Sequence, residues 1–179
     1  MNKITAIVLA AGSGSRMKSK TKKQFMEIKG KPVIWYSLFE FEKSRVDEII
    51  LVTGKEDIDY CKKEIVEKYN LKKIKNVVAG GSERYESVYN GLKEVTGNIV
   101  LIHDGARPLI NNEIIERSIE GTIKSDACVV GVPVKDTIKR ANKEVLKAHM
   151  THCVHDAVNS EDCDQKVEEM IKVLDNLLK

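Results

Sequence analysis

Residues 4–24 read ITAIVLAAGSGSRMKSKTKKQ. Ile4 to Leu9 form a short apolar run, the pattern of a buried parallel strand. Ala10, Ala11, Gly12, Ser13 and Gly14 follow at once. Small residues directly after a buried strand let the backbone approach a ligand closely, and Gly12 and Gly14 can take dihedrals closed to other residues. Successive N–H groups in such a loop form an anion-binding concavity. Arg16, Lys20, Lys22 and Lys23 then supply positive charge. A strand, a small-residue loop and a basic tail together predict a cradle for a polyphosphate.

Two familiar phosphate loops do not fit. A P-loop requires Gly, four residues, then Gly-Lys-Ser/Thr, and that pattern is absent. The dinucleotide fingerprint requires a third glycine where Met17 stands.

Outward from this stretch, the chain alternates strands and helices. Pro32 to Ser44 predicts a helix with Val33, Ile34, Ser37, Leu38 and Phe41 on its inner face, Pro32 suiting the first turn. Glu48 to Thr53 (EIILVT) predicts a second strand, and Glu56 to Tyr69 a charged helix with Ile58, Cys61, Ile65 and Val66 inward. Ile74 to Ala79 is a weaker strand. Ser82 to Val95 is a helix with Val88, Leu92 and Val95 as its buried stripe. Asn98 to His103 is a strand, Asn111 to Ile123 a helix capped by Asn111, and Ala127 to Val132 a further strand. This order predicts one α/β domain over 1–179: a Rossmann-like, mostly parallel twisted sheet with helices on both faces. Ligands of such sheets bind beyond the carboxyl ends of the strands.

Three later loops carry chemistry at those ends. Gly80-Gly81-Ser82-Glu83-Arg84-Tyr85-Glu86-Ser87 follows the strand ending at Ala79. Ser82 capping the next helix would explain Gly-Gly-Ser; the paired glycines also expose backbone donors and acceptors to a ligand. His103-Asp104-Gly105-Ala106-Arg107-Pro108 places a carboxylate at a strand tip. Mg²⁺ prefers one or two carboxylates plus phosphate oxygens, which makes Asp104 the candidate metal ligand; a turn or cap is the alternative role. Arg107 suits bidentate phosphate pairing. Pro133-Val134-Lys135-Asp136-Thr137-Ile138-Lys139-Arg140 reads either as a surface hairpin or as part of a ligand site.

Composition bounds the partners. A net charge of +3, 32% charged residues, 5% aromatics and a single Trp disfavour nucleic acid. No apolar run approaches a membrane span and the N-terminus has no signal-peptide pattern. Four cysteines at 61, 128, 153 and 163 form no C-x-x-C, so a cytoplasmic location is the expectation.

Ala-Ala-Gly-x-Gly-x-Arg-Met with Lys23-Gln24, Gly-Gly-x-x-Arg-x-x-Ser, His-Asp-x-Ala-Arg-Pro and Pro-Val-x-Asp-Thr-x-Lys together resemble the 2-C-methyl-D-erythritol 4-phosphate cytidylyltransferase family of the non-mevalonate isoprenoid route. The family has the nucleotide-diphospho-sugar transferase type of fold. The resemblance implies CMP transfer from CTP to a polyol phosphate with release of pyrophosphate, in a Mg²⁺-dependent homodimer. Arg16 and Lys23 would be catalytic. Ala10, Ala11, Gly12, Ser13, Gly14, Gly80, Gly81, Arg84, Ser87 and Gly105 would bind the nucleotide, with Gly81 and Ser87 at cytosine and Arg84 bracing the loop. Arg107, Thr137 and Lys139 would bind the acceptor, and Asp104 the metal. Residue 105 is more often Ala in the family.

The motif resemblance covers roughly residues 3 to 142. The family's later Arg-Trp, Thr-Pro-Gln and Asn-Ile-Lys-x-Thr segments have no counterpart. Residues 133–150 would be the acceptor and dimerisation arm, and 160–179 an amphipathic terminal helix. The cluster His149, His152, Cys153, His155 and Asp156 matches no standard zinc spacing. Two other functions compete: CMP transfer to ribitol 5-phosphate, and nucleotide binding with weak or no turnover.

Overall fold

The computed structural model describes residues 2–12 and 21–131. The chain divides into two units, Met1–Gly131 and Val132–Lys179. At the centre of the first unit is a four-stranded parallel sheet. Its strands are β1 (Ile4–Ala10), β4 (Glu48–Thr53), β5 (Ile74–Ala79) and β6 (Ile99–Asp104), in the order β5-β4-β1-β6. β2 (Glu27–Ile28) and β3 (Lys31–Pro32) form a separate antiparallel hairpin.

β1 is apolar but for Thr5 because both of its faces are covered. Ile4, Ala6, Val8 and Ala10 join a core with Ile49 and Leu51 of β4. Ile34, Leu38 and Phe41 of α1 (Val33–Lys43) and Ile115 and Ile119 of α4 (Asn112–Ser125) complete that core. Ile7 and Leu9 point the other way, to Ile50 and Val52. There α3 (Arg84–Leu92) lies close: a Cβ on Gly91 would sit 2.7 Å from Ile7 and 3.1 Å from Val52. Helices on both faces, as the alternation predicts, are thus present.

Several local details differ from the sequence expectations. The buried positions of α3 are Ser87 and Gly91, while Leu92 is exposed; the small Gly91 brings the helix backbone itself onto the sheet, so no large apolar stripe is required. The predicted helix over 56–69 is a 3₁₀ turn (Lys55–Asp57), a single α turn, α2 (Ile58–Tyr60), and a π-helical stretch (Cys61–Glu67) that buries Cys61 and Ile65. The β2–β3 hairpin has no counterpart among the expected elements. Lys29 (φ 51) and Gly30 (φ 73) both adopt left-handed dihedrals, the requirement of the tight hairpin turn that matches strand twist.

The strand expected over 127–132 does not form over 127–131. Among the described residues they pair with no strand, and Val129 and Val130 are exposed. Strand propensity reports fit to a half-buried pleated surface rather than an intrinsic preference, and no such surface meets this run among the described residues. Asp126, at φ 61, turns the chain out of α4 just before it. No helix among the described residues is long and apolar enough to cross a membrane.

At the amino end of the sheet, Glu48 is buried yet fully bonded. Its carboxylate accepts from Thr5 Oγ1 (2.7 Å) and from Thr96 N (3.1 Å) and Oγ1 (2.8 Å), and pairs with Lys3 Nζ (2.9 Å). Burial alone would raise its pKa; the hydrogen bonds from Thr5, Lys3 and Thr96 outweigh burial and hold it at about 2. A folded-state value below the unfolded one stabilises the fold above the unfolded pKa, and that stability is lost as pH falls through the folded value. The window here runs from about 4.5 down to about 2, and the shift corresponds to about 3 kcal/mol. Glu48→Gln is expected to lower stability at pH 7 by about that amount or less and to flatten the acid limb. Urea unfolding of both proteins at pH 7 and pH 3 checks this: an undiminished gap between them at pH 3 contradicts it.

Candidate active site

The sheet order places a crevice where β1 has neighbours reached in opposite directions. The chain runs from β1 outward through β4 to β5, then returns to β6 on the other side of β1. Such a switch point is where ligands sit in open parallel sheets. Leu9 lies opposite Asp104, so the loops after β1 and β6 leave the sheet side by side.

The loop after β1 begins with buried Ala10, then half-buried Ala11 and exposed Gly12. The loop after β5 meets it. Gly80 N donates to Thr53 O at 2.8 Å. A Cβ on Gly80 would sit 2.4 Å from the Cβ of Ala11 and 2.7 Å from Ser87 Oγ. The absence of that Cβ is what lets the two loops touch.

The β5 loop is then shaped by its own side chains. Ser87 Oγ accepts from Gly81 N (3.1 Å) and donates to Glu83 O (3.2 Å). Glu86 accepts from Ser82 N (2.7 Å), Ser82 Oγ (2.8 Å) and Glu83 N (3.2 Å), and these hydrogen bonds hold its carboxyl below the usual range. Ser82 is therefore not the cap of α3. The helix starts at Arg84, two residues further on, with Glu83 in the cap position. Ser82 instead binds back to Glu86.

Arg84, the first residue of α3, reaches Asp104 at the tip of β6. Its Nη2 and Nε donate to Asp104 Oδ1 at 3.0 and 3.3 Å. Arg107 Nε donates to the other oxygen at 2.9 Å, and Arg107 N to the Asp104 carbonyl at 2.9 Å. Behind this turn, His103 Nε2 donates to the Arg107 carbonyl (3.1 Å), with its ring edge-on to Phe41. Burial pushes the His103 pKa below its usual value, which suits a neutral donor bracing the turn. Gly105 is buried; its N–H donates to Leu9 O at 2.8 Å. It shapes the turn from behind.

The structure thus brings together Ala10, Ala11, Gly12, Gly80, Gly81, Arg84, Ser87, Asp104, Gly105 and Arg107. Ser13, Gly14, Arg16, Lys20, Thr137 and Lys139 lie outside the described residues, as do the 133–150 arm, the 160–179 helix and the His149–Asp156 cluster. Lys23 is exposed and pairs with no acidic group among the described residues. Lys22 behaves differently from its expected role. It bonds Glu56 and, at 2.5 Å, Asp57. Burial works against its charge, but these two carboxylates outweigh burial and raise its pKa. Its charge is matched inside the fold and is not offered to a ligand.

Sequence reasoning missed Gln24, His103 and Glu86. Gln24 is 4% exposed, and its Nε2 donates to the carbonyls of Ala10 (2.6 Å) and Gly12 (3.1 Å). The sequence signal is its place in the Lys23-Gln24 motif, which gives no role for the amide; its partners lie twelve and fourteen residues away. Among the described residues no three His, Cys, Asp or Glu side chains gather as a metal cage. One half-buried carboxylate at Asp104, at the tip of β6 beside the end of β1, fits the ligand set of a Mg²⁺ that arrives with phosphate oxygens. The two arginines on it are mostly exposed (64% and 76%) and so are free to swing aside.

Comparison with known proteins agrees with this geometry. A relative from Lachnoclostridium phytofermentans, named 2-C-methyl-D-erythritol 4-phosphate cytidylyltransferase, is 53% identical over 140 residues, covering 78% of this chain and 60% of its own length. A relative of the same name from Alkaliphilus metalliredigens is 49% identical over 147 residues, 80% of this chain and 61% of its own. The chain thus spans about 60% of the length of these relatives. The crystal structure of 4-diphosphocytidyl-2C-methyl-D-erythritol synthase from Anaerococcus prevotii superposes with a TM-score of 0.68 at 28% identity, over 96% of this chain and 83% of that one. The sequence model of the family matches residues 4–163, further than the motif resemblance, which ends near 142. With its three loops converging at the switch point and a family match over most of its length, this chain belongs to the 2-C-methyl-D-erythritol 4-phosphate cytidylyltransferase family.

Proposed function

We propose that this chain binds CTP with Mg²⁺ across the ends of β1, β5 and β6 and transfers CMP to 2-C-methyl-D-erythritol 4-phosphate. The observation that carries the proposal is the meeting of the three loops, through Ala11 against Gly80 and Arg84 on Asp104. A phosphate oxygen of the acceptor attacks the α-phosphorus of CTP in line. A new P–O bond forms, the α–β bridging P–O bond breaks, and pyrophosphate leaves with that electron pair. No covalent enzyme intermediate is required, so catalysis consists of positioning and charge stabilisation.

The loop from Ala10 to Gly14 holds the triphosphate with backbone N–H groups. Arg16 and Lys23 meet the negative charge that grows on the departing pyrophosphate. Gly81 and Ser87 contact the cytosine, and Arg84 braces the loop through Asp104. Arg107, Thr137 and Lys139 orient the acceptor. When bound at Asp104, Mg²⁺ supplies further charge neutralisation at the phosphates. The proposal includes a cytoplasmic location and a homodimer formed through residues 133–150, which light scattering tests.

Calorimetric titration of the full chain with CTP, UTP, ATP and GTP in Mg²⁺ buffer tests the nucleotide half. CTP is expected to bind and the purine nucleotides to bind far more weakly, because a pocket closed by two touching loops excludes the larger base by shape. Equal affinity for ATP overturns the pyrimidine assignment. Pyrophosphate release with the erythritol and ribitol phosphates identifies the acceptor.

A second reading is favoured by the acceptor motifs that have no counterpart after Arg140. A dianionic acceptor without its cations is poorly positioned, and positioning carries much of this rate. Near-normal CTP binding with weak turnover is its expected signature. Efficient turnover overturns it.

A further inference from the structure

Gln24 stands out from its surroundings as a buried amide bonded only to backbone far away in sequence. Its side chain is 4% exposed, and its two donated hydrogen bonds go to the carbonyls of Ala10 and Gly12. A trans peptide points its C=O and the next N–H in opposite directions. Drawing the Ala10 carbonyl onto Gln24 therefore turns the N–H of Ala11 away from Gln24. The same amide fixes the carbonyl of Gly12.

The segment that carries Gln24 is itself anchored on both sides of Lys23. Lys22 is tied to Glu56 and Asp57 on the turn after β4. Phe25 is buried, with its ring edge-on to Tyr60 at 5.0 Å. Phe25 N closes the turn onto Lys22 O at 2.9 Å. The backbone of Lys23 is thus held between an ion pair and a buried amide, while its own side chain is exposed.

We propose that Gln24 is a positioning residue for polyphosphate: it turns the β1 loop's carbonyls inward so that its amides face the ligand, and it locks the turn that presents Lys23 beside that loop. This rests on the assignment of the β1 loop as a phosphate cradle. Gln24 touches no ligand; it acts through Ala11, Gly12 and Lys23.

The test uses the full chain, with tripolyphosphate and CTP titrated calorimetrically in Mg²⁺ buffer and cytidine binding read by saturation-transfer NMR. Gln24→Met keeps the size and removes both donors. It is expected to weaken tripolyphosphate and CTP about ten-fold each, the scale of two lost modest hydrogen bonds, while cytidine binding, which depends on the β5 loop, stays within about two-fold of the parent. A purely structural role would instead lower the melting temperature and weaken all three ligands alike. Gln24→Asn keeps an amide that is one bond too short to reach both carbonyls, and it supplies the result if Gln24→Met does not fold. Parent-like tripolyphosphate binding by these variants, or equal losses for cytidine and tripolyphosphate, overturns the proposal. Failure of the parent itself to bind tripolyphosphate or CTP overturns the phosphate-cradle assignment, and the role of Gln24 with it.

Discussion

Lys23→Ala is expected to lower the rate of CMP transfer by about 10²–10³-fold, the usual cost of removing one donor to charge that develops in the transition state. Lys23 is exposed, and no acidic group among the described residues competes for it. Lys22 next to it is engaged by Glu56 and Asp57 and cannot take over. The charge Lys23 meets is small in bound CTP and large on departing pyrophosphate, so the loss falls on kcat while CTP affinity changes only a few-fold. Single-turnover measurements with radiolabelled CTP resolve this even against a slow parent rate. A rise in KM with kcat unchanged would make Lys23 an ordinary binding residue.

Gly80→Ala has the other large expected effect, and it acts through shape. The added Cβ would lie 2.4 Å from the Cβ of Ala11 and 2.7 Å from Ser87 Oγ. Ala11 is one residue past the end of the central strand β1, so it has no flexible side-chain end that can move aside. The β1 and β5 loops must part instead, against the hydrogen bond from Gly80 N to Thr53 O. Overpacking of this kind costs about 1–3 kcal/mol. The two loops are the triphosphate and base halves of the proposed site, so CTP affinity should fall together with the unfolding midpoint. Urea unfolding and CTP titration on the same sample check both. A variant with parent-like stability and affinity would show that the loops tolerate separation and that their contact has no functional weight.

The sheet itself was legible because both faces of its central strands are buried. ITAIVLA and EIILVT are mostly apolar for that reason, and their predicted limits match β1 and β4 closely. Asn111 was legible as a cap because capping is local: its Oδ1 accepts from Ile114 N at 2.9 Å, three residues on. The run over 127–131 failed because a strand exists only against a partner, and apolar composition does not specify one. Leu92 failed as a core position because Gly91 carries the close contact with Ile7 and Val52, a fact that depends on the sheet and not on helical spacing.

For the site, residue types and their places at strand ends were enough to pick out the small-residue loop, Gly80-Gly81 and the Asp104 tip, and the family resemblance followed from their combination. What each side chain is engaged with was decided only by the tertiary fold. Lys22 and Lys23 are adjacent and chemically identical, yet one faces two carboxylates from the turn after β4 and the other faces solvent. Gln24 enters the sequence reading only as part of a motif, and the structure makes it a buried tie to the loop after β1. Arg84 and Asp104 are twenty residues apart and meet because the strand order returns β6 to the side of β1. Local sequence sets backbone preference and burial pattern over a few residues. Pairings between loops depend on strand order and on where backbones come close enough to touch, which a list of residues does not contain.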